Sequence, residues 1–94
     1  MICLVVYDIT DDKQRKKLTK MLQTYGLSRV QYSAFRGELN AHDRNVLAKR
    51  ASQFVKDEHD CIFIIPLCSR CISTAEVISN TGACLIKDSR VQIV

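Results

Sequence analysis

The strongest candidate for a chemically active residue lies where the first apolar segment ends. Ile2 to Tyr7 is an unbroken apolar or aromatic run, and Asp8 follows it directly. Such a run, rich in Val, is typical of a central strand buried on both faces. A carboxylate at the end of a central strand is well placed for metal binding or catalysis, but it could equally cap the next helix or pair with a lysine.

A single carboxylate is a poor magnesium site, because magnesium takes one or two carboxylates together with waters and substrate oxygens. If Asp8 lies near the twofold axis of a homodimer, its mate supplies the second carboxylate. Asp8 is therefore a candidate catalytic and metal-binding residue, with Mg²⁺ as the candidate cofactor and Mn²⁺ as a substitute. Tyr7, Asp11 and Asp12 are further candidates beside it, and the chain contains no nucleophile elbow or glycine-rich phosphate loop.

Basic residues suggest a polyanionic partner. The chain has fourteen Lys and Arg against ten Asp and Glu, a net charge of +4. Four lysines recur at helical spacing opposite an apolar stripe, and we name them the lysine strip: Lys13, Lys16, Lys17 and Lys20. They predict either phosphate contacts or an ordinary solvated helix face. Arg15 flanks the apolar stripe, near the sheet edge or an interface.

Five cysteines are present, and Cys68 and Cys71 form a C-x-x-C pair. No signal peptide or membrane-length apolar segment is visible, so we predict a cytoplasmic protein with reduced thiols. We expect Cys68 and Cys71 to pack under the turn after a strand. The alternative is metal or redox use, for which His42 and His59 offer no ligand spacing.

The hydrophobic patterns predict one domain with two helices. Thr10 or Asp11 can cap the first helix, whose apolar stripe ends before Gly26 as a C′ glycine. Asn40 can cap the second helix, with Asp43 in its first turn. The second helix carries a predicted buried stripe, which comprises Leu47, Ala51, Phe54 and Val55.

Apolar and alternating segments predict the strands. Ser28–Leu39 is one bent strand or two short ones, with Arg29 and Phe35 on the same face. Cys61–Ile65 is a second strongly apolar strand. Shorter strand candidates follow at Thr74–Ile78, Cys84–Ile86 and Val91–Val94.

This order predicts an α+β protein with a ferredoxin-like, two-layer β-α-β-β-α-β sandwich and an extra C-terminal strand. We expect residues 1–78 to form the core and residues 79–94 to form a C-terminal strand tail that pairs with the partner subunit. One helical layer leaves the other sheet face bare, and a homodimer that packs sheet on sheet would cover it.

Three motifs together resemble one family. They read V-V-Y-D-I-T-D-D-K-x-R at 5–15, Y-G-L-x-R-V-Q-Y-S-x-F-x-G-E-L at 25–39 and I-x-P-L-C-x-R-C at 64–71. The chain resembles the small CRISPR-associated endoribonucleases that partner the CRISPR integrase in spacer acquisition. The resemblance implies a ferredoxin-like homodimer whose C-terminal strand extends the partner's sheet.

The resemblance also implies site residues and partners. Asp8 matches the family's magnesium and catalytic position, and the Cys pair matches the family pattern. Positions implicated around the cleft or in binding match Tyr7, Arg15, Arg29 and Phe35. The implied partners are a second copy of the chain, integrase dimers, DNA and possibly RNA, with no membrane.

Three functions stay open at this point. The first is a magnesium-dependent endonuclease that cleaves single-stranded RNA or double-stranded DNA. The second is a non-catalytic scaffold that holds duplex DNA between two integrase dimers through Lys and Arg contacts to phosphates. The third is a metallochaperone that uses Cys68 and Cys71, although in that class the pair normally follows the first strand.

Overall fold

A computed structural model describes residues 1–80 of the chain and the backbone of residues 90–93. The first six elements are β1 (Ile2–Asp8), α1 (Asp12–Thr24), β2 (Ser28–Gln31), β3 (Ala34–Glu38), α2 (Ala41–Ala51) and a 3₁₀ turn (Ser52–Phe54). The remaining elements are β4 (Cys61–Leu67), α3 (Ser69–Thr74), β5 (Glu76–Ser79) and β6 (Arg90–Ile93).

The main sheet has the strand order β2-β3-β1-β4, and all of its neighbouring strands are antiparallel. Strand β1 therefore lies in the middle, where its apolar run predicted it. Together with α1 and α2, this sheet gives the β-α-β-β-α-β order of a ferredoxin-like sandwich, and the predicted fold class is confirmed.

Helix α1 begins and ends at local signals. The Asp11 carboxylate accepts a hydrogen bond from the Lys13 backbone N–H at 2.9 Å, so Asp11 rather than Thr10 is the N-cap. At the other end Gly26 adopts φ +84°, and the N–H of Leu27 donates to the Leu22 carbonyl at 3.1 Å. The Gly26 N–H donates to the carbonyl two residues before the cap, which completes a Schellman motif.

The segment after α1 folds as a hairpin of two short strands rather than one bent strand. Arg29 pairs with Phe35, as their predicted common face requires, and the register shifts between Arg29 and Gln31. Gly37 lies under the chain that leaves α1. A Cβ at Gly37 would lie 3.0 Å from the Leu27 Cα, so a side chain at this strand position would crowd the neighbouring backbone.

Helix α2 is capped as predicted, because the Asn40 side chain accepts a hydrogen bond from the Asp43 N–H at 2.7 Å. Leu47 and Ala51 are buried. Phe54 is buried too, but from the 3₁₀ turn that follows the helix. The prediction that Val55 is buried is wrong: the chain has left the helix there, and 41% of Val55 is exposed.

The two faces of the sheet differ. Cys3, Val5 and Tyr7 of β1 point towards the helices and are buried in the hydrophobic core. The alternate residues point to the opposite face, which α1 and α2 leave uncovered and which we name the open face. Its apolar side chains are half-buried or exposed: Ile2, Leu4, Val6, Phe63, Ile65 and Leu67.

The region after β4 departs from the predicted boundaries. Residues 69–74 form a six-residue helix, and β5 begins at Glu76 rather than Thr74. Strand β6 confirms a C-terminal strand, and it pairs in parallel with β5 of the same chain. The predicted strand at Cys84–Ile86 lies outside the described residues, and pairing of residues 79–94 with a partner subunit stays a prediction. No helix in the described part of the chain could cross a membrane.

Candidate nucleic-acid and metal site

Asp8 is the last residue of the central strand and is exposed on the open face. It pairs with Cys61 of β4, so the sheet fixes its backbone from the side. Within residues 1–80, the Asp8 carboxylate forms no hydrogen bond or ion pair. A rigidly positioned, free carboxylate is available to a cation or a water molecule.

Arg15 holds the loop that follows Asp8. Its guanidinium donates a hydrogen bond to the Ile9 carbonyl at 3.0 Å and forms an ion pair with Asp12. Arg15 was predicted as a nucleic-acid-binding residue, but these two contacts engage it with the loop and with the first residue of α1. Asp11 and Asp12 are engaged too, as the helix cap and as this ion pair, so Asp8 is the free carboxylate of the group.

Asp60 holds the same loop from the other side, and sequence reasoning did not find it. One carboxylate oxygen accepts a hydrogen bond from the Thr10 N–H at 2.9 Å, and the other accepts from Lys56 at 3.0 Å and Asp57 at 2.9 Å. These backbone donors stabilise the charged form and hold the pKa of Asp60 well below its ordinary value. The carboxylate therefore ties the end of β1 to the turn before β4.

Arg29 belongs to a cluster at the same end of the sheet. Its guanidinium carbon lies 4.9 Å from the centre of the Phe35 ring and 5.9 Å from that of Tyr32. Arg29 donates a hydrogen bond to the Tyr32 carbonyl, and the Tyr7 hydroxyl donates to the same oxygen at 3.3 Å. Burial raises the pKa of Tyr7, and the positive charge of Arg29 partly offsets this. The cluster holds an exposed cation in a fixed orientation.

Tyr7 and Phe35 were predicted as nucleic-acid-binding residues, and the structure does not bring them to the surface. Phe35 is completely buried and Tyr7 is 3% exposed. Both point into the helix-covered core, where their ring centres are 6.3 Å apart. In this conformation neither ring offers a face to a base, so both support Arg29 from beneath.

The lysine strip lies in another layer of the molecule. All four lysines are exposed on α1, opposite Leu18, Met21 and Leu22, which are buried against the sheet. The strip therefore points away from the sheet on the helical side, whereas Asp8 points out of the open face. One chain does not bring the strip and Asp8 into a single cleft.

Comparison with known proteins shows the family of the chain. Residues 1–75 match the family model described as CRISPR associated protein Cas2. The chain belongs to the Cas2 family. The matched segment contains Asp8, the lysine strip, Arg29 and the Cys68–Cys71 pair.

Curated members of the Cas2 family resemble the chain along most of its length. A protein from Archaeoglobus fulgidus named CRISPR-associated endoribonuclease Cas2 1 is 63% identical over 94 residues, all of both chains. A CRISPR-associated endoribonuclease Cas2 from Korarchaeum cryptofilum is 40% identical over 67 residues, which cover 71% of this chain and 72% of that protein.

Two solved structures share the fold of the chain. The crystal structure of Streptococcus pyogenes Cas2 at pH 6.5 superposes with a TM-score of 0.63 at 26% identity, covering 71% of this chain and 86% of that one. A hypothetical protein from Thermus thermophilus superposes with a TM-score of 0.65 at 36% identity, covering 71% and 80%.

The donor set fits a divalent cation only in part. Carboxylate oxygen is the ligand type that magnesium prefers, and Asp8 offers it in an exposed and unengaged form. Among the described residues, no group of three or more His, Cys, Asp or Glu side chains could hold a metal ion. At this end of the sheet, one chain thus offers Asp8 as its unengaged carboxylate.

Proposed function

We propose that this chain acts as a homodimeric, magnesium-dependent endonuclease in CRISPR spacer acquisition, with Asp8 of each subunit as the catalytic carboxylate. The observation that carries the proposal is the state of Asp8: rigidly held at the end of the central strand, exposed and unengaged. The substrate class is a phosphodiester in single-stranded RNA or double-stranded DNA. The names of the curated relatives, CRISPR-associated endoribonucleases, support a nuclease.

The open face supports a homodimer. Phe63 is 57% exposed and Ile65 is 42% exposed, beside the half-buried Leu4 and Val6. A contiguous apolar surface of this kind marks an interaction site, and a sheet packed on its own copy would cover it symmetrically. Asp8 projects from the same open face. This packing would therefore place the Asp8 side chains of both subunits at the interface between the two sheets, where they could share one ion.

The residues of the chain would act in different ways. The two Asp8 carboxylates would hold magnesium, which when bound supplies positive charge to the phosphate and activates water. Arg29 would contact a substrate phosphate, since its cation is exposed and its orientation is fixed by Phe35 and the Tyr32 carbonyl. Arg15 and Asp60 would position Asp8 by holding the loop after it, and neither would touch substrate.

A scaffold in complex with the CRISPR integrase is the second candidate. It is favoured by the lysine strip, because four exposed cations lie on the helical side, away from Asp8. A surface of this kind can bind duplex phosphates whether or not cleavage occurs. In this alternative, Asp8 has no catalytic role, and spacer acquisition depends on the strip.

The Asp8→Asn variant separates the two candidates, because it keeps the shape of the side chain and removes its charge. We expect cleavage to fall to background, while light scattering still shows a dimer and DNA binding is unchanged. Cleavage by the unaltered protein should require magnesium or manganese and stop with chelator. The matched control is Glu58→Gln, which neutralises an exposed carboxylate whose described ion pair is to His59 and should leave cleavage intact.

Two results would overturn the proposed nuclease function. One is an Asp8→Asn protein that cleaves at the rate of the unaltered protein, which would point to a contaminating nuclease. The other is spacer acquisition that continues undiminished in cells carrying Asp8→Asn, which would establish the scaffold. A stable monomer at micromolar concentration would remove the shared metal site from the proposal.

A further inference from the structure

The Cys68–Cys71 pair lies apart from the site described above. Cys68 follows the last residue of β4, and Cys71 is the third residue of α3. At the β4 end, Leu67 pairs with Ile2, whereas Asp8 lies six residues further along β1. At ~3.4 Å per residue, the pair and Asp8 are about 20 Å apart along the strand.

The two sulfur atoms are already neighbours. The Sγ atoms of Cys68 and Cys71 are 3.5 Å apart, and both residues are exposed. The prediction that these cysteines pack under the turn is therefore wrong, because α3 presents them to solvent. A disulfide bond is ~2.05 Å long, so the sulfur atoms must approach by about 1.5 Å.

The other described cysteines lack this arrangement. Cys3 is buried in the core, and Cys61 is half-buried in β4. Thiol exchange requires a thiolate that is accessible to the attacked disulfide. The exposed pair alone combines accessibility with a second sulfur in reach among the cysteines of residues 1–80.

The two thiols also differ in acidity. The backbone N–H of Cys71, the Cys71 thiol and the backbone N–H of Arg70 stabilise a Cys68 thiolate and lower the pKa of Cys68. The interaction with Cys68 raises the pKa of Cys71. This difference favours Cys68 as the attacking sulfur and leaves Cys71 protonated until a mixed disulfide has formed.

We propose that Cys68 and Cys71 form a redox-active dithiol that exchanges with small or protein disulfides. The Cys68 thiolate attacks one sulfur of the disulfide, which forms a mixed disulfide and releases the first thiolate. Cys71 loses its proton to that thiolate and attacks the Cys68 sulfur, which closes the Cys68–Cys71 bond and releases the second thiolate, which takes a proton from water. The net reaction oxidises two protein thiols and reduces one disulfide to two thiols.

A metal site is the competing interpretation of the pair. Two thiolates provide half of a tetrahedral zinc site, and no further ligand accompanies them in the part of the chain that the structure describes. The redox interpretation needs only the two sulfur atoms that are present. The proposal does not depend on nuclease activity, so its test requires no cleavage assay.

The test uses the full chain equilibrated with mixtures of reduced and oxidised glutathione. After acid quenching and alkylation, peptide mass mapping should show one intramolecular Cys68–Cys71 disulfide at the oxidising end and two free thiols at the reducing end. Cys3 should stay reduced throughout and serves as the internal control. If Cys68 and Cys71 stay free, or carry only glutathione adducts, the dithiol proposal is overturned.

Single substitutions test the order of the two steps. Cys71→Ser should accumulate a stable glutathione adduct on Cys68, because the second attack is removed. Cys68→Ser should react more slowly, since Cys71 lacks the backbone N–H donors of Cys71 and Arg70 that stabilise a Cys68 thiolate. Equal rates would overturn the assigned roles, and stoichiometric zinc in protein purified without added metal would overturn the redox proposal itself. Circular dichroism checks that both variants fold.

Discussion

Phe35 tests whether the aromatic cluster acts by contact with nucleic acid or by supporting Arg29. The structure places the ring entirely in the core, beneath the Arg29 guanidinium. We therefore expect Phe35→Leu to lower stability and to leave nucleic-acid affinity nearly unchanged, because the Tyr32 carbonyl still holds the Arg29 guanidinium. A residue that stacked on bases would behave in the opposite way.

The size of the effect follows from the contacts of the ring. Removing it forfeits the cation–π interaction with Arg29, which is worth about 0.5–1 kcal/mol near the surface. It also forfeits the aromatic contact with Tyr7, worth about 0.5–1.5 kcal/mol, and leaves a small cavity partly filled by Leu. We take the total as about 2 kcal/mol, and at 4–8 °C per kcal/mol the melting temperature should fall by about 8–16 °C.

The measurements are thermal unfolding by circular dichroism and duplex-DNA binding by fluorescence anisotropy well below the transition. Arg29→Gln is the counterpart, because it removes the exposed cation and keeps the ring. It should lower the melting temperature by less than Phe35→Leu does, because the ring stays in the core, and it should weaken binding and reduce the salt slope by about one contact. A Phe35→Leu protein that melts like the unaltered chain but has lost its affinity would refute the supporting role.

Three further predictions concern other parts of the chain. Reversing Lys16 and Lys17 to Glu should make the dependence of log affinity on log salt shallower by about 0.9 per lost contact; an unchanged slope would return the lysine strip to an ordinary solvated face. Gly37→Ala should cost about 1–3 kcal/mol in thermal unfolding, since the new Cβ would lie 3.0 Å from the Leu27 Cα and force that backbone to shift, and a neutral result would show that the backbone at Leu27 adjusts without cost. Because the folded pKa of Asp60 lies below its unfolded value, its stabilisation is fully present above about pH 4 and is lost as pH falls further. The stability of Asp60→Asn should therefore depend less on pH in that range, and parallel pH profiles would contradict this.

Features controlled by neighbouring residues could be predicted from the sequence. The caps at Asp11 and Asn40 and the glycine stop at Gly26 involve partners within a few residues, so their residue types indicate them directly. The central position of β1 was predictable because its apolar run is continuous, whereas a strand with one solvent-exposed face alternates apolar and polar residues. The ferredoxin-like order then followed from the sequence of elements.

Features controlled by distant residues could not be predicted. Asp60 bonds to Thr10, fifty residues away, and only the pairing of β1 with β4 brings them together. Alternation placed Arg29 and Phe35 on one face, but it could not say that α1 and α2 cover that face. The short helix α3 was not predicted, because six residues are too few to show a helical periodicity. Without this helix, Cys68 and Cys71 were wrongly predicted to be buried.

In the described part of the chain, strand β4 is an edge strand of the main sheet, and its composition bears on aggregation. An unpaired edge that carries Phe63 and Ile65 could template the addition of strands from other molecules. Pro66 lies in this edge strand and has no N–H, so one donor of the ladder is missing. An incoming strand would meet only the short stretch before Pro66 as a continuous edge. Replacing Pro66 by a residue with an N–H should therefore increase turbidity in concentrated or heated samples before it alters the fold.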